Sequence, residues 1–171
     1  MRTSLLRTLA LAVAVSTCTM HAARAQVPPI QVELIAPSAE FTDDVAIQVR
    51  NKFYGRGTDV MNLGDASNMV VAKVTIQPKA VFPWHTHPGP VLVSVVEGDF
   101  VYVLAEDCIE RWYDAASALI DAGFENVHTA FNPSETEETV VIATFLGVPP
   151  GSPVTILADG PDPAICPLPT P

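Results

Sequence analysis

Short runs of apolar or alternating residues, separated by turn residues, make up most of the chain from residue 69 onward. They are rich in valine, isoleucine, threonine and aromatic residues, which is typical of β-strands. The pattern predicts seven strands, at residues 69–77, 91–96, 100–105, 109–113, 127–131, 139–147 and 154–157. A weak helical period occurs only around residues 114–121, so we expect a mostly antiparallel, all-β domain.

Turn residues and prolines set the limits of this β-rich region. Gly98 lies between two apolar runs and predicts a tight hairpin, and Asn132-Pro133 predicts another turn. Residues 26–67 are mixed and predict one strand, around residues 45–50, within an arm that leads into the domain. From Pro149 the chain carries eight prolines, which cannot donate ladder hydrogen bonds and therefore predict an extended tail.

The first 25 residues resemble an export signal. Arg2 and Arg7 precede an uncharged apolar run at residues 8–20, and Ala23-Arg24-Ala25 forms a small-x-small cleavage site. A membrane anchor is the alternative, but the run is shorter than the ~18 residues that a spanning helix needs. Lipidation at Cys18 is disfavoured by Thr17 before it. We expect a mature protein that begins at Gln26 and is secreted or periplasmic.

The charge of the chain excludes some classes of partner. Loss of Arg2, Arg7 and Arg24 with the signal leaves 6 basic residues against 19 acidic ones and moves the formal charge from −10 to −13. A protein this acidic is a poor binder of nucleic acid or of anionic lipid, so we expect neither as a partner. The acidic residues are dispersed, as on a solvated surface.

Two cysteines, Cys108 and Cys166, remain after the signal is removed. An oxidising compartment would allow them to pair, and a disulfide would tie the tail to the domain. Two buried free thiols are the alternative.

The mature chain has only three histidines, His85, His87 and His128, each in strand-like surroundings. Residues two apart on a strand point to the same face, so His85 and His87 can direct two imidazoles at one point. His128 from a neighbouring strand would complete a metal site. Three neutral imidazoles suit a divalent ion of Fe, Mn, Zn, Ni or Cu and leave coordination positions free. The alternative for His128 is a hydrogen-bonded core histidine.

These residues resemble the two motifs of the cupin superfamily, whose small jelly-roll barrel holds a metal. The first motif, Gly-x5-His-x-His-x3,4-Glu-x6-Gly, is matched by His85, His87 and Gly98, whereas Lys79 takes the opening glycine position. Val91 stands where the carboxylate ligand would be, which removes a negative charge beside the metal.

The second motif, Gly-x5-Pro-x-Gly-x2-His-x3-Asn, is matched at its end by His128 and Asn132. If Gly123 is the inner glycine, the gap to His128 is two residues too long, and Asp121 and Ala115 replace the proline and the first glycine. Glu125 is considered as a substitute carboxylate, but an exposed loop position is the preferred interpretation. Trp84 and Phe82 are expected on the face opposite His85, and Asn132 is expected to hold the turn before Pro133.

The resemblance implies a single-domain cupin-type jelly-roll β-barrel at residues 68–158. It follows a signal peptide at residues 1–25 and an N-terminal arm at residues 26–67, and it precedes a Pro-rich tail at residues 159–171. Dimerisation is common in the family and would cover exposed sheet edges, so a homodimer is a candidate assembly.

The sequence is compatible with three functions. The first is an exported metal-dependent oxidoreductase, an oxygenase that acts on a small oxygenated or aromatic molecule. The second is a non-catalytic barrel that binds a small ligand or a metal, which the missing glutamate and the lack of a recognisable general acid or base favour. The third is a structural barrel without metal. No catalytic residue beyond the metal ligands is identified by the sequence.

Overall fold

A computed structural model describes residues 27–169 of the chain, and the expected signal peptide lies outside them. The described chain consists of strands and connections. The strands are β1 (Ile30–Glu40), β2 (Ile47–Lys52), β3 (Thr58–Leu63), β4 (Asn68–Ile76), β5 (His85–Thr86), β6 (Val91–Glu97), β7 (Phe100–Leu104), β8 (Glu110–Tyr113), β9 (Ala118–Asp121), β10 (His128–Phe131), β11 (Thr139–Leu146) and β12 (Ile156–Leu157). None of the residues from 27 to 169 belongs to a helix that could cross a membrane.

Two antiparallel five-stranded sheets form the barrel. The first has the order β1-β4-β11-β6-β9 and the second the order β12-β5-β10-β7-β8, while β2 and β3 form a separate hairpin. The alternating residues of β4, β6 and β11 point inward and meet Phe100, Tyr102 and Leu104 of β7 in one core. The fold is therefore an all-β jelly roll of the cupin type, as predicted.

The strand predictions are confirmed in position for all seven segments, with ends that differ by a few residues. On β6, Val91 and Val95 point into the core, whereas Leu92 and Val96 are exposed. The hairpin between β6 and β7 turns at Gly98, which has a positive φ of 72° that favours glycine.

Two regions differ from the sequence-based expectation. The segment expected to be an arm holds three strands instead of one, because β1 pairs with β4 as an edge strand and β3 pairs with β2. The weak helical period at residues 114–121 is not a helix. Ala116 has a positive φ of 69°, which interrupts any helix, and β9 follows it with Leu119 and Asp121 pointing inward.

The C-terminal tail covers the outer face of the second sheet. Cys166 and Leu168 of the tail pack on Val101 and Val103 of β7, together with Trp84. Both faces of β7 are therefore buried, which explains its uninterrupted apolar sequence. A disulfide joins Cys166 to Cys108, in the connection between β7 and β8.

We predict that the double variant Cys108→Ala, Cys166→Ala has a free energy of unfolding about 4 kcal/mol lower than the wild type, because the cross-link closes a long loop in the unfolded chain. Chemical denaturation of both proteins under non-reducing conditions measures the difference. Wild-type protein unfolded in the presence of reductant is the matched control and should approach the stability of the variant. Alkylation of both cysteines in native protein without reductant would contradict the pairing.

Candidate metal centre

The three histidines come together because β5 and β10 are neighbours in the second sheet. His85 on β5 lies directly opposite His128 on β10. His87, two residues after His85, returns to the same side of the backbone. The ring centroids are 4.9 Å apart for His85 and His87, 4.3 Å for His85 and His128, and 5.1 Å for His87 and His128. All three side chains are buried.

Each imidazole is oriented by one backbone carbonyl. Nδ1 of His85 lies 2.7 Å from the carbonyl oxygen of Pro83, and Nδ1 of His87 lies 2.6 Å from that of Val154. Nδ1 of His128 lies 3.1 Å from the carbonyl oxygen of Asn126. Because a carbonyl can only accept, we assign the proton to Nδ1 in all three rings. Their Nε2 atoms are then left for a ligand inside the barrel.

Burial favours the neutral form of His85 and His87. Burial, and then the nearby His128, together lower the pKa of His85 to about 4. Burial also lowers the pKa of His87. A neutral imidazole offers a lone pair to a metal ion, whereas an imidazolium does not. The ligand atoms of the three histidines lie within 4.8 Å of one another, so this group could hold a metal ion.

Asp121, at the end of β9, is the fourth member of the cluster and was not predicted to be a site residue. Its side chain is almost completely buried. Oδ1 accepts a hydrogen bond from the backbone N–H of Gly123 at 2.7 Å. Oδ2 lies 2.8 Å from Nε2 of His128 and 3.5 Å from Nε2 of His87. In the sequence, Asp121 stands out only because it replaces the proline of the second motif. A single acidic residue among the apolar residues of 118–124 was the signal that could have found it.

The charge of Asp121 is stabilised by its neighbours. Burial by itself would raise the pKa of Asp121, but His128 and His87 in their protonated forms and the hydrogen bond from Gly123 outweigh it and lower this pKa. A negative charge is therefore held next to the Nε2 atoms of His128 and His87 in the interior of the barrel.

This donor set fits a cation. With Nδ1 protonated, a neutral His128 would direct an Nε2 lone pair at the Asp121 carboxylate only 2.8 Å away, and the two would repel. A proton on His128 would satisfy this pair alone. A divalent ion would satisfy the carboxylate and the Nε2 atoms of His128 and His87 together, since ligand atoms held ~2.1 Å from one ion lie roughly 3 to 4 Å from each other. The residues present therefore fit a metal ion.

The cluster lies at the wall of a cavity of about 100 Å³ inside the barrel. Apolar side chains form most of its lining, including Phe82, Val93 and Phe145, and no lysine or arginine is among the described residues that line it. The exposed residues Val32 and Thr155 lie on the same lining, where the cavity reaches the surface.

Tyr102 on β7 contributes a further polar group to the cavity. Its ring lies 5.0 Å from that of His128, centroid to centroid. The hydroxyl is buried and makes no hydrogen bond to any of the described residues. Burial, and then the negative charge of Asp121, raise the pKa of Tyr102 well above its ordinary value. The hydroxyl is therefore a protonated donor, although sequence analysis identified no such group.

Asn132 and Glu125 lie where the sequence predicted them. Asn132 is buried and donates hydrogen bonds to the carbonyls of Ile76 and Glu137, while its own oxygen accepts from the N–H of Ser134, so it holds the turn as predicted. Glu125 is exposed on a loop, also as predicted.

Trp84 packs in the outer cluster, as expected, but Phe82 does not share its face. The Phe82 ring lines the cavity and lies 5.9 Å from that of His85. Strict alternation fails here because Phe82 and Pro83 lie outside any strand.

The fold and the site together define a cupin-type β-barrel with a buried three-histidine group that could hold a metal ion. No protein-family model matches the sequence, and no curated protein matches it significantly.

Several solved structures are similar to this chain. A cupin-like protein of Thermotoga maritima has 26% identity over 44% of this chain and 55% of its own, with a TM-score of 0.40. KdgF of Halomonas sp. has 17% identity over 72% of this chain and 84% of its own, with a TM-score of 0.46. The polyketide cyclase RemF of Streptomyces resistomycificus has 18% identity over 56% of this chain and 64% of its own, with a TM-score of 0.45. The chain thus spans only about half the length of the Thermotoga protein.

We predict that wild-type protein loaded with a divalent first-row metal retains the ion after desalting, whereas the variant His85→Ala, His87→Ala retains none above background, because two of three imidazole ligands are gone. Elemental analysis of the desalted proteins measures this. Glu125→Gln is the matched control, because it removes an exposed carboxylate near the site and should retain the ion. Equal metal contents in the wild type and the double variant would place the ion elsewhere.

Proposed function

We propose that this protein is an exported metal-dependent enzyme, an oxygenase that acts on a small oxygenated or aromatic molecule. The observation that carries the proposal is the convergence of three Nε2 atoms, from His85, His87 and His128, on one wall of an otherwise apolar cavity. Sites of this kind combine a few convergent polar groups with an apolar pocket for the substrate.

The histidines and the apolar residues of the cavity would have different roles. His85, His87 and His128 would hold the ion, and a redox-active ion such as iron would supply Lewis-acid and electron-transfer chemistry there. Phe82, Val93 and the other apolar side chains would enclose the substrate and exclude water. A dioxygenase reaction balances without an added reductant, because both atoms of O2 enter the product.

Tyr102 is suited to position the substrate. Its buried hydroxyl stays protonated and has no hydrogen-bond partner among the described residues, so it can donate to an oxygen atom of the substrate. This donor supports an enzyme more than a plain metal store, because an unpaired buried hydroxyl costs stability unless something else uses it. The substrate would accordingly carry an oxygen atom within reach of both the ion and Tyr102.

Capture of a small ligand without chemistry is the second candidate. The valine at residue 91 favours it, because it takes the place of the expected carboxylate, and a cavity of about 100 Å³ would admit only a small ligand. The two functions differ in what happens to the bound molecule, and they can be separated by one experiment.

We predict that the iron-loaded protein consumes O2 with catechols or small diketones and does so less with the larger flavonols, because the cavity is small. Oxygen uptake, with product analysis by mass spectrometry, measures turnover. The variant His85→Ala, His87→Ala treated with the same iron should show none. A ligand that raises the unfolding temperature of the loaded protein but leaves O2 untouched would favour capture instead.

We further predict that Tyr102→Phe lowers kcat/KM about 10- to 100-fold, the value of one hydrogen bond to a charged or developing-charge oxygen. The metal content should be unchanged, since the hydroxyl is not among the metal-binding nitrogens and carboxylates. The unfolding temperature should change little, because the hydroxyl makes no well-formed hydrogen bond with any of the described residues. A variant with wild-type kcat/KM would show that Tyr102 does not touch the substrate.

A further inference from the structure

We propose that Asp121 is the fourth ligand of the metal centre, and that it supplies from β9 the carboxylate that Val91 on β6 lacks. The inference rests on the proposed metal site, but not on the proposed oxygenase reaction.

The pairing of the two strands carries the argument. Val91 and Asp121 are direct partners in the antiparallel ladder between β6 and β9. The Cβ atoms of directly opposed residues lie ~4.5 to 5.5 Å apart on the same face of a sheet. Both residues are buried and both line the cavity. A carboxylate that projects from residue 121 can therefore reach the space that a longer acidic side chain at residue 91 would enter.

Asp121 is also held in the orientation that ligation requires. The N–H of Gly123 binds Oδ1, which leaves Oδ2 directed at the histidines. The distances from Oδ2 to Nε2 of His128 and His87, 2.8 and 3.5 Å, are those of neighbouring ligands around one ion.

The local backbone keeps Asp121 in this position. Gly123 has a φ of +61°, and a Cβ atom there would collide with the carbonyl of Gly89. Only glycine allows this close turn, and the turn brings its N–H to the Asp121 carboxylate. The glycine and the acidic residue thus form one unit, Asp121-Ala122-Gly123, whose role would be to present Oδ2 to the ion.

The charge balance of the site is a second, independent reason to assign Asp121 as a ligand. A buried carboxylate without a positive partner is strongly disfavoured, and no lysine or arginine is among the described residues that line the cavity. Three neutral imidazoles, for their part, leave the charge of a divalent ion uncompensated. With Asp121 as a ligand the loaded centre carries a single positive charge, and a six-coordinate ion retains two positions. The substrate class that this favours is a monoanion that binds through two oxygen atoms.

A carboxylate exchange between the two strands tests the inference. We would compare the wild type with Asp121→Asn, with the double variant Val91→Glu, Asp121→Ala, and with the control Glu125→Gln. Affinities for Zn²⁺ and Co²⁺ are measured by competition with a chromophoric chelator, and the d–d absorption of bound Co²⁺ reports its ligands. Thermal unfolding of the metal-free proteins checks that each variant folds.

Asp121→Asn should weaken metal binding by at least ~100-fold, since loss of supporting groups outside the ligand set already costs 10- to 100-fold. The double variant, which returns a carboxylate to residue 91, should recover most of this affinity, and Glu125→Gln should match the wild type. Should Asp121→Asn bind metal as the wild type does, Asp121 is not a ligand although the metal site stands. Wild-type protein that binds neither ion would overturn both proposals.

A crystal structure of the Zn²⁺-loaded wild type decides the question even if the variants do not fold. Oδ2 of Asp121 within ~2.0 to 2.2 Å of the ion would support the inference. An ion bound by the histidines alone, with Asp121 left as a hydrogen-bond partner, would refute it.

Discussion

A buried negative charge beside two imidazole nitrogens is the interaction on which the rest of this structure depends. Oδ2 of Asp121 lies 2.8 Å from Nε2 of His128 and 3.5 Å from Nε2 of His87, in the interior of the barrel. Such a group is unfavourable unless a cation joins it, because burial removes the water that would otherwise solvate it. The surrounding strands and turns hold the donors in place despite this cost, as they do at many functional sites.

The positions of the donors are set by backbone groups. Each Nδ1 atom contacts one carbonyl, from Pro83, Val154 or Asn126, and Oδ1 of Asp121 binds the N–H of Gly123. Backbone partners are rigid where side-chain partners can change rotamer, so the ring orientations are determined before any ion arrives. The carbonyl of Val154 belongs to the segment just before β12, and this links the site to the C-terminal part of the chain.

That C-terminal part has two roles in the molecule. It covers the outer face of β7, where Cys166 packs in a second apolar cluster, and the disulfide to Cys108 anchors it there. At its beginning, Val154 lines the cavity and orients His87. A proline-rich segment is well suited to this, since it loses little conformational entropy on ordering and needs few ladder partners.

Much of the barrel could be predicted from local pattern, because alternation and turn residues are local properties. The strands from residue 69 onward, the hairpin at Gly98 and the turn at Asn132 are of this kind. β1 could not be predicted in this way, because most of its side chains are exposed and its pairing with β4 defines it as a strand. The predicted orientation of Phe82 was wrong for a related reason, since the alternation of side chains along a strand does not extend through an irregular segment.

The sequence by itself identified the three histidines as candidate metal ligands, since they are the only histidines after residue 25 and two of them lie at strand spacing. It also marked Val91 as a position without the expected carboxylate. Only the tertiary structure decided that Asp121 lies directly across the ladder from Val91 and faces the histidines. Residues 30 positions apart in the chain become neighbours through strand register, and register depends on the packing of the whole sheet rather than on local sequence.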